Sequence, residues 1–200
     1  MRRSAAHKEE TRRRILDEAA MAMRVRGHEG ISVADLMKRA GMTHGGFYAH
    51  FSSRDDLVAH AIDRMFNDSK ALLHQYLGEE PDMAGLAALI DFYLSEQAML
   101  RTEQACPLPA LSGEAIRLPS PARERFEAGM DSFRDGIRRA LEAGGLREAE
   151  GLASSVLAEM VGTMAMARAV SDKARALAIL DASRRNLRDR LGLPPEAGAG

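Results

Sequence analysis

The sequence predicts an all-α fold, and three observations lead to this expectation. Helix-favouring residues dominate the chain of 200 residues, chiefly Ala, Leu, Met, Arg and Glu. No segment alternates apolar and polar residues over the length of a strand. Residues 32–57 carry three helix-start signals in close succession. We therefore expect three helices within residues 1–53, a larger helical domain over residues 54–192 and a flexible tail over residues 193–200.

Charge is distributed unevenly along the chain, although the net charge is only −1. Residues 1–60 hold 11 Lys and Arg against 8 Asp and Glu, whereas the rest holds 17 against 21. A basic amino-terminal part predicts an anionic partner at that end. The single cysteine excludes an internal disulfide and fits a reducing cytoplasm. The apolar stretch 152–170 carries Glu159 near its centre, so a buried helix of a soluble protein is expected there.

The first two helices follow from their start and stop signals. An apolar stripe predicts a helix over about residues 8–26, which a glycine ends. Ser32 is the expected N-cap of the second helix, with Asp35 at its third position. Ile31 is placed to pack on Leu36, as in a hydrophobic staple.

The same start signal returns twice more. Thr43 is the expected N-cap of a short third helix, and a turn with Gly41 precedes it. Ser53 is the expected N-cap of a longer helix, with Asp56 at its third position. Two short helices joined by a tight glycine turn form the helix-turn-helix arrangement.

The remaining helices are punctuated by glycine and proline. A short helix between irregular links is expected in the proline-rich stretch 106–121. Longer helices are expected over about residues 54–77, 83–100, 122–143, 150–170 and 172–191.

Residues 40–51 have the sequence AGMTHGGFYAHF, which closely resembles the helix-turn-helix of the TetR family of bacterial repressors. The resemblance rests on Gly41 in the turn and on Thr43 at the start of the recognition helix. It also rests on the aromatic cluster 47–51 and on the basic Arg54 that follows. It implies an amino-terminal DNA-binding domain, a helical ligand-binding and dimerisation domain, and a homodimer on a palindromic operator.

The expected recognition helix has an inner and an outer side. Phe47 and Phe51 are four residues apart and are expected to pack inward. Tyr48 and His50 lie off that face, where their polar groups can bind phosphates. The glycines at 45–46 offer no side chain to bases, so DNA shape is expected to contribute to recognition. In the alternative interpretation, these glycines form a simple loop.

The predicted DNA contacts come from the first helix and from the helix-turn-helix. They are Lys8, Arg12, Ser32, Thr43, His44, Gly45, Gly46, Tyr48, His50 and Arg54. Thr43 and His44 are the expected base contacts. The resemblance places the start of the first helix at phosphates or in the minor groove, and a solvated basic face is the alternative.

Cys106 is the candidate sensing residue, because some members of the resembling family carry a cysteine here that responds to electrophiles or oxidants. A reactive thiol needs a nearby cation, and Arg101 is close in sequence. A small buried hydrophobe is the alternative for Cys106. His60 and His74 can be pocket or surface residues. The apolar candidates for a ligand pocket, equally explained as core, are Phe66, Phe92, Tyr93, Phe126, Met130, Phe133, Met160 and Met164.

Small residues on the predicted helix 150–170 indicate a dimer surface, because they let a partner helix approach closely. They are Ser155, Ala158, Gly162 and Ala165. Two such helices from each subunit would form a four-helix bundle.

A ligand-responsive repressor is therefore the first function hypothesis. An enzyme is the second, but the sequence has no phosphate loop, zinc signature or nucleophile elbow, and no cofactor or metal is expected. An adaptor with a vestigial helix-turn-helix is the third. Salt-dependent retention on palindromic DNA separates the first hypothesis from the third.

Overall fold

A computed structural model describes residues 2–30 and 32–193. Met1, Ile31 and residues 194–200 lie outside the described residues. The predicted contact of Ile31 with Leu36 and most of the predicted tail therefore lie outside them too. The described part of the chain is helical and contains no strand. The predicted all-α fold is therefore confirmed.

Nine α-helices follow one another along the described chain. They are α1 (Arg2–Arg26), α2 (Val33–Arg39), α3 (Arg54–Leu77), α4 (Met83–Tyr93), α5 (Glu96–Leu100), α6 (Leu108–Leu111), α7 (Ser120–Ala143), α8 (Ala149–Ala169) and α9 (Lys173–Leu191). Three 3-10 helices lie between them, and these are His44–Ala49, Thr102–Gln104 and Ala115–Arg117. We call the first of these the recognition helix, because it occupies the predicted position.

Most observed helix ends lie within about two residues of the predicted ends. The start of the first helix is an exception, because α1 begins at Arg2 rather than near Lys8. The residues before Lys8 include no glycine or proline, so nothing in their backbone chemistry stops the helix from extending.

The single helix predicted over residues 83–100 is also wrong, because the chain forms two helices there. α4 ends at Tyr93, and α5 begins at Glu96. The hydroxyl oxygen of Ser95 accepts a hydrogen bond from the backbone N–H of Ala98 at 3.1 Å, which caps α5. A serine that bonds to the local backbone competes with a continuous helix, and this competition explains the break.

Contacts between residues divide the chain into two compact units. The first unit comprises Met1–Asp68 and Cys106–Gly129, and the second comprises Ser69–Ala105 and Met130–Gly200. The helix-turn-helix therefore packs in one unit with a segment that comes much later in the chain and includes α6.

Apolar burial and a buried ion pair both join α1 to α3 inside the first unit. Ile15 and Met23 of α1 and Met65 of α3 are completely buried. Arg24 is also buried, and its Nη2 donates to Asp68 Oδ2 at 2.9 Å and to the Met65 carbonyl at 3.3 Å. A buried charge is tolerated only when it is paired in this way.

A chain of polar contacts links α8 to α9 in the second unit. The hydroxyl of Thr163 donates to Ser183 Oγ at 3.0 Å, and that hydroxyl donates to Glu159 Oε1 at 2.8 Å. Arg190 pairs with the other carboxylate oxygen of Glu159 at 3.0 Å. The earlier residue of α8, Glu159, meets the later residue of α9, Arg190, whereas Thr163 meets Ser183. The two helices are therefore antiparallel.

Gly129 of α7 lies directly against the ring of Phe66 on α3. A Cβ atom added to Gly129 would lie 2.3 Å from the ring carbon Cγ, which is far inside the contact distance of two carbon atoms. Phe66 also makes an edge-to-face contact with Phe126, with 5.6 Å between the ring centroids. The missing side chain of Gly129 is therefore what permits this close approach.

We expect the substitution Gly129→Ala to lower the free energy of unfolding by about 1–3 kcal/mol, because the added methyl group overpacks the contact with Phe66. The matched control is Gly151→Ala, since a Cβ at that exposed position of α8 meets no atom within 4 Å. We expect that control to leave stability unchanged or to raise it by up to about 1 kcal/mol. Urea unfolding followed by circular dichroism measures both changes, and equal stabilisation by the two substitutions would contradict the packing argument.

Candidate DNA interface

The first helix of the helix-turn-helix is capped at both ends. The hydroxyl oxygen of Ser32 accepts a hydrogen bond from the Asp35 N–H at 3.3 Å, which confirms Ser32 as the N-cap of α2. At the other end, Gly41 adopts a left-handed conformation with φ of +73°. Its N–H bonds to the carbonyl of Lys38, and the chain then turns toward the recognition helix. Glycine is the residue best suited to this position, because a side chain would strain the backbone.

The recognition helix is a 3-10 helix, and the predicted side-chain cap at Thr43 is wrong. Thr43 occupies the N-cap position in an extended conformation, but its side chain makes no capping hydrogen bond. The N–H of Gly46 bonds instead to the Thr43 carbonyl three residues earlier, at 3.0 Å. Two consecutive glycines weaken the α-helix, so a short 3-10 turn forms in its place. The pair 45–46 thus lies in neither an α-helix nor a simple loop.

The two sides of the recognition helix differ as the sequence predicts. Phe47 and Phe51 are both buried, and their rings stack with 5.6 Å between centroids. Tyr48 is 71% exposed, and Thr43 and His44 are exposed as well. The phenylalanines anchor the helix, and the hydroxyl and imidazole groups are left open to a partner.

Three predicted phosphate ligands come together at one edge of this surface. His50 lies between the recognition helix and α3, and its pKa is lowered by burial and by the positive charges of Lys8 and Arg12 on α1. The guanidinium of Arg12 also lies over the ring of Phe51, 4.7 Å from the centroid. This contact holds Arg12 beside the recognition helix. We call Lys8, Arg12 and His50 the basic cluster.

The start of α3 is fixed by reciprocal hydrogen bonds. Ser53 Oγ accepts from the Asp56 N–H at 3.0 Å, which confirms the predicted N-cap. The Asp56 carboxylate accepts from the N–H and the hydroxyl of Ser52, and these bonds lower the pKa of Asp56. The next residue, Arg54, is half-buried and donates one hydrogen bond to the carbonyl of His28. This contact uses only part of the guanidinium, so the remaining N–H groups can still bind a phosphate. The role of Arg54 as a phosphate ligand stays a prediction.

The aromatic candidates for a ligand pocket have ring partners. Phe66 pairs with Phe126 in the first unit, as described above. Tyr93 pairs with Phe133 in the second unit, with 6.0 Å between centroids. Phe92 stacks on Tyr76 at 5.4 Å. Such pairs are typical of a packed core, so the pocket remains a prediction for these residues.

The methionine candidates and the two histidines differ in exposure. Met160 and Met164 are buried, whereas Met130 is partly exposed. His60 is half-buried and pairs with Asp56, and His74 is exposed.

Cys106 is buried and is a free thiol. Its predicted cation, Arg101, is exposed. Cys106 interacts electrostatically with Arg24 instead: burial lowers the pKa of Arg24, and Asp68 and Cys106 act in the opposite direction. Arg24 and Cys106 belong to the same compact unit. No sequence signal could identify this pair, because 81 residues separate the two positions along the chain.

The predicted dimer surface on α8 is accessible to solvent. Ser155 and Ala158 are exposed, and Gly162 and Ala165 are partly exposed. A Cβ atom added to Gly162 would meet nothing within 4 Å. The neighbouring Met166 is also 57% exposed, so an apolar strip runs along this side of the helix.

None of the described helices is both long and apolar enough to span a membrane. Over residues 2–30 and 32–193, no group of three or more His, Cys, Asp or Glu side chains is arranged to hold a metal ion.

Comparison with known proteins identifies relatives among transcriptional regulators. Residues 15–61 match the family model of the bacterial regulatory proteins of the TetR family. An uncharacterized HTH-type transcriptional regulator of Mycobacterium tuberculosis is 27% identical over 188 residues, which cover 90% of this chain and 93% of the relative. The regulator TtgR of Pseudomonas putida is 34% identical over 65 residues, which cover 32% of this chain and 31% of TtgR.

Solved structures share the fold along nearly the whole chain. The reduced form of E. coli NemR has a TM-score of 0.79 at 21% identity, and the match covers 90% of this chain and 96% of NemR. A TetR transcriptional regulator from Chloroflexus aurantiacus has a TM-score of 0.76 at 23% identity, covering 96% and 97% of the two chains. The comparisons confirm the resemblance found in the sequence and identify a DNA-binding transcriptional regulator rather than an enzyme.

We expect the substitution Tyr48→Phe to weaken DNA binding about 2- to 12-fold, because it removes one exposed hydroxyl that can donate to a phosphate. Tyr76→Phe is the matched control, since Tyr76 lies in the second unit and stacks on Phe92. Fluorescence anisotropy on a labelled duplex, selected by the protein from a random pool, gives both affinities. An unchanged affinity for Tyr48→Phe would exclude the tyrosine hydroxyl from the interface.

The lowered pKa of His50 predicts how stability depends on pH. Protonation is harder in the folded protein than in the unfolded chain, where histidine has its ordinary value of 6.5. The contribution of His50 to stability is therefore complete above pH 6.5 and is lost as the pH falls through the folded-state pKa. We expect His50→Gln to lose less stability than the wild type between pH 7.5 and pH 5.5 in urea unfolding. The control is His74→Gln, an exposed position, and an equal effect of the two substitutions would contradict this assignment.

Proposed function

We propose that this chain, which belongs to the TetR family of bacterial regulatory proteins, is a homodimeric repressor that a small molecule or an electrophile releases from a palindromic operator. The observation that carries the proposal is the open side of the recognition helix, with Thr43, His44 and Tyr48 exposed beside the basic cluster. These groups offer several hydrogen-bond donors and positive charge to a polyanion. The reducing cytoplasm is the proposed compartment, since the one cysteine is a free thiol.

The proposed DNA contact depends more on phosphates than on bases. Lys8, Arg12, Tyr48 and His50 supply donors around the recognition helix, and only Thr43 and His44 extend toward base edges. The two glycines in between allow the backbone to come close to the groove without contributing base contacts. Sequence preference would then arise in part from the shape of the DNA.

The proposed homodimer forms through α8 and α9. Small residues with open space above them, such as Gly162, allow the partner's helices to approach closely. Two helices from each subunit would make a four-helix bundle. A twofold axis through this bundle would present two recognition helices to half-sites one DNA turn apart, or a multiple of one turn.

The proposed effector acts on the segment that begins at Cys106. A neighbouring cation favours the thiolate, the reactive form of cysteine, and Arg24 is a permanent cation in the same unit. An electrophile that modifies Cys106 would therefore change the packing beside α1. The alternative effector is an apolar ligand bound among the helices of the body, with Cys106 acting as an ordinary small core residue.

The DNA arm of the test selects duplexes from a random pool with the wild-type protein and measures affinity at 50 and 200 mM salt. We expect a palindromic preference and a fall in affinity with salt, because binding releases counterions from the phosphates. Sedimentation of the same sample gives the oligomeric state. A monomer, or the absence of DNA retention at low salt, would defeat the proposal.

The effector arm compares the wild type with Cys106→Ser on the selected duplex. N-ethylmaleimide is the probe, because it is a small electrophile that alkylates cysteine thiolates. We expect it to release the wild type from DNA and to leave Cys106→Ser bound. Equal release of both proteins would assign the sensing role to another site, and no release of either would favour the apolar ligand.

A further inference from the structure

The turn that leads from α1 into the helix-turn-helix contains a buried histidine. α1 ends at Arg26, and Gly27 reverses the chain in a left-handed conformation with φ of +74°. The next residue, His28, is only 3% exposed, although turn residues normally lie at the surface. We call residues 27–30 the α1–α2 turn. Its conformation sets the direction in which α2 leaves α1.

The backbone polar groups of His28 form hydrogen bonds with residues that are distant in sequence. Glu114 Oε1 accepts a hydrogen bond from the backbone N–H of His28 at 2.9 Å. Glu114 Oε2 lies 3.4 Å from Nδ1 of the same histidine. The backbone carbonyl of His28 accepts from Arg54, the first residue of α3. One carboxylate and one guanidinium therefore hold the backbone N–H and the backbone carbonyl of His28.

The carboxylate of Glu114 also lies against the backbone of Gly27. A Cβ atom added to Gly27 would be 2.7 Å from Oε2 and 2.9 Å from Oε1. The turn is thus shaped to admit this carboxylate, and a larger residue at position 27 would displace it. The side chain of Glu114 is only 17% exposed, so water competes weakly for its hydrogen bonds.

Glu114 is carried by the segment that also carries Cys106. Between them lies α6, whose Leu108 and Leu111 are buried, and α6 packs against α1. The N–H of Glu114 bonds to the carbonyl of Leu111 at 3.0 Å, so the glutamate is attached directly to the end of α6. A shift of α6 along α1 would therefore move the carboxylate.

We propose that Glu114 is a positioning residue that couples segment 106–118 to the helix-turn-helix by clamping the α1–α2 turn. While the carboxylate bonds to His28, the turn is held and α2 keeps its position on α1. When an effector displaces the segment, the clamp opens and the helix-turn-helix loses its fixed orientation. This role rests on the proposed DNA-binding function, because it regulates the same surface.

The test compares Glu114→Ala and Glu114→Gln with the wild type on the selected duplex. We expect Glu114→Ala to bind about tenfold more weakly, since it loses a charge-assisted hydrogen bond. Glu114→Gln should bind more tightly than the alanine variant, because its amide oxygen can still accept from the His28 N–H. The matched control is Glu124→Gln, an exposed glutamate in the same unit, and we expect it to bind like the wild type.

Hydrogen exchange on the full chain distinguishes a clamp from a general loss of stability. In Glu114→Ala, we expect faster exchange in residues 27–39 and unchanged exchange in α8 and α9, and bound DNA should restore the protection. Exchange that rises equally in all helices, with an unaltered affinity of the folded fraction, would overturn the proposal. Wild-type affinity in Glu114→Ala would overturn it as well. A wild-type protein that itself fails to bind DNA would instead refute the proposed function, so the two failures are distinguishable.

Discussion

The recognition helix depends on the burial of Phe47 and Phe51. A 3-10 helix of six residues with two glycines has little stability of its own, because its nucleation cost is spread over few hydrogen bonds. Burying a phenylalanine side chain contributes about 1.5–3 kcal/mol, so two such rings offset much of this cost. Because the rings lie four residues apart, they also determine which residues remain outside. Tyr48 is exposed as a consequence of that anchoring.

The same constraint explains how the basic cluster is assembled. Phe51 provides the ring on which Arg12 rests, so the residue that anchors the recognition helix also orients a cation of α1. His50 lies beside Phe51 and is partly buried, and the nearby positive charges lower its pKa further. A bound phosphate would offset the positive charges of Lys8 and Arg12, so the basic cluster is a favourable place for an anion. The side chain of Phe51 thus both packs in the core and contacts a cation of the basic cluster.

The sequence predicts those parts of the candidate DNA interface that depend on contacts within a few residues. The N-caps at Ser32 and Ser53 and the inward positions of Phe47 and Phe51 are examples, because helical spacing and capping chemistry are local. The cap at Thr43 fails, since it requires an α-helix that the following glycines do not favour.

Contacts between distant segments have no such signature in the sequence. The bond from Glu114 to His28 spans 86 residues, and the charge interaction of Arg24 with Cys106 spans a similar distance. Sequence proximity favours Arg101 as the partner of Cys106. In the folded chain, Cys106 instead interacts electrostatically with the buried Arg24 of α1. Only the packing of segment 106–129 with the amino-terminal helices reveals both interactions.

These two distant interactions meet on the same short stretch of α1 and its turn. Arg24 interacts with Cys106, and four residues later His28 is bonded to Glu114. Arg24 lies in the last turn of α1, and His28 lies in the α1–α2 turn just beyond it, so the proposed sensing thiol and the proposed clamp both act near the carboxy-terminal end of α1. The proposed regulation therefore needs no long relay through the helical body to connect an effector with the candidate DNA interface. In the proposed regulation, movement of segment 106–118 along the carboxy-terminal end of α1 would be sufficient, because the amino-terminal half of α1 carries Lys8 and Arg12 of the basic cluster.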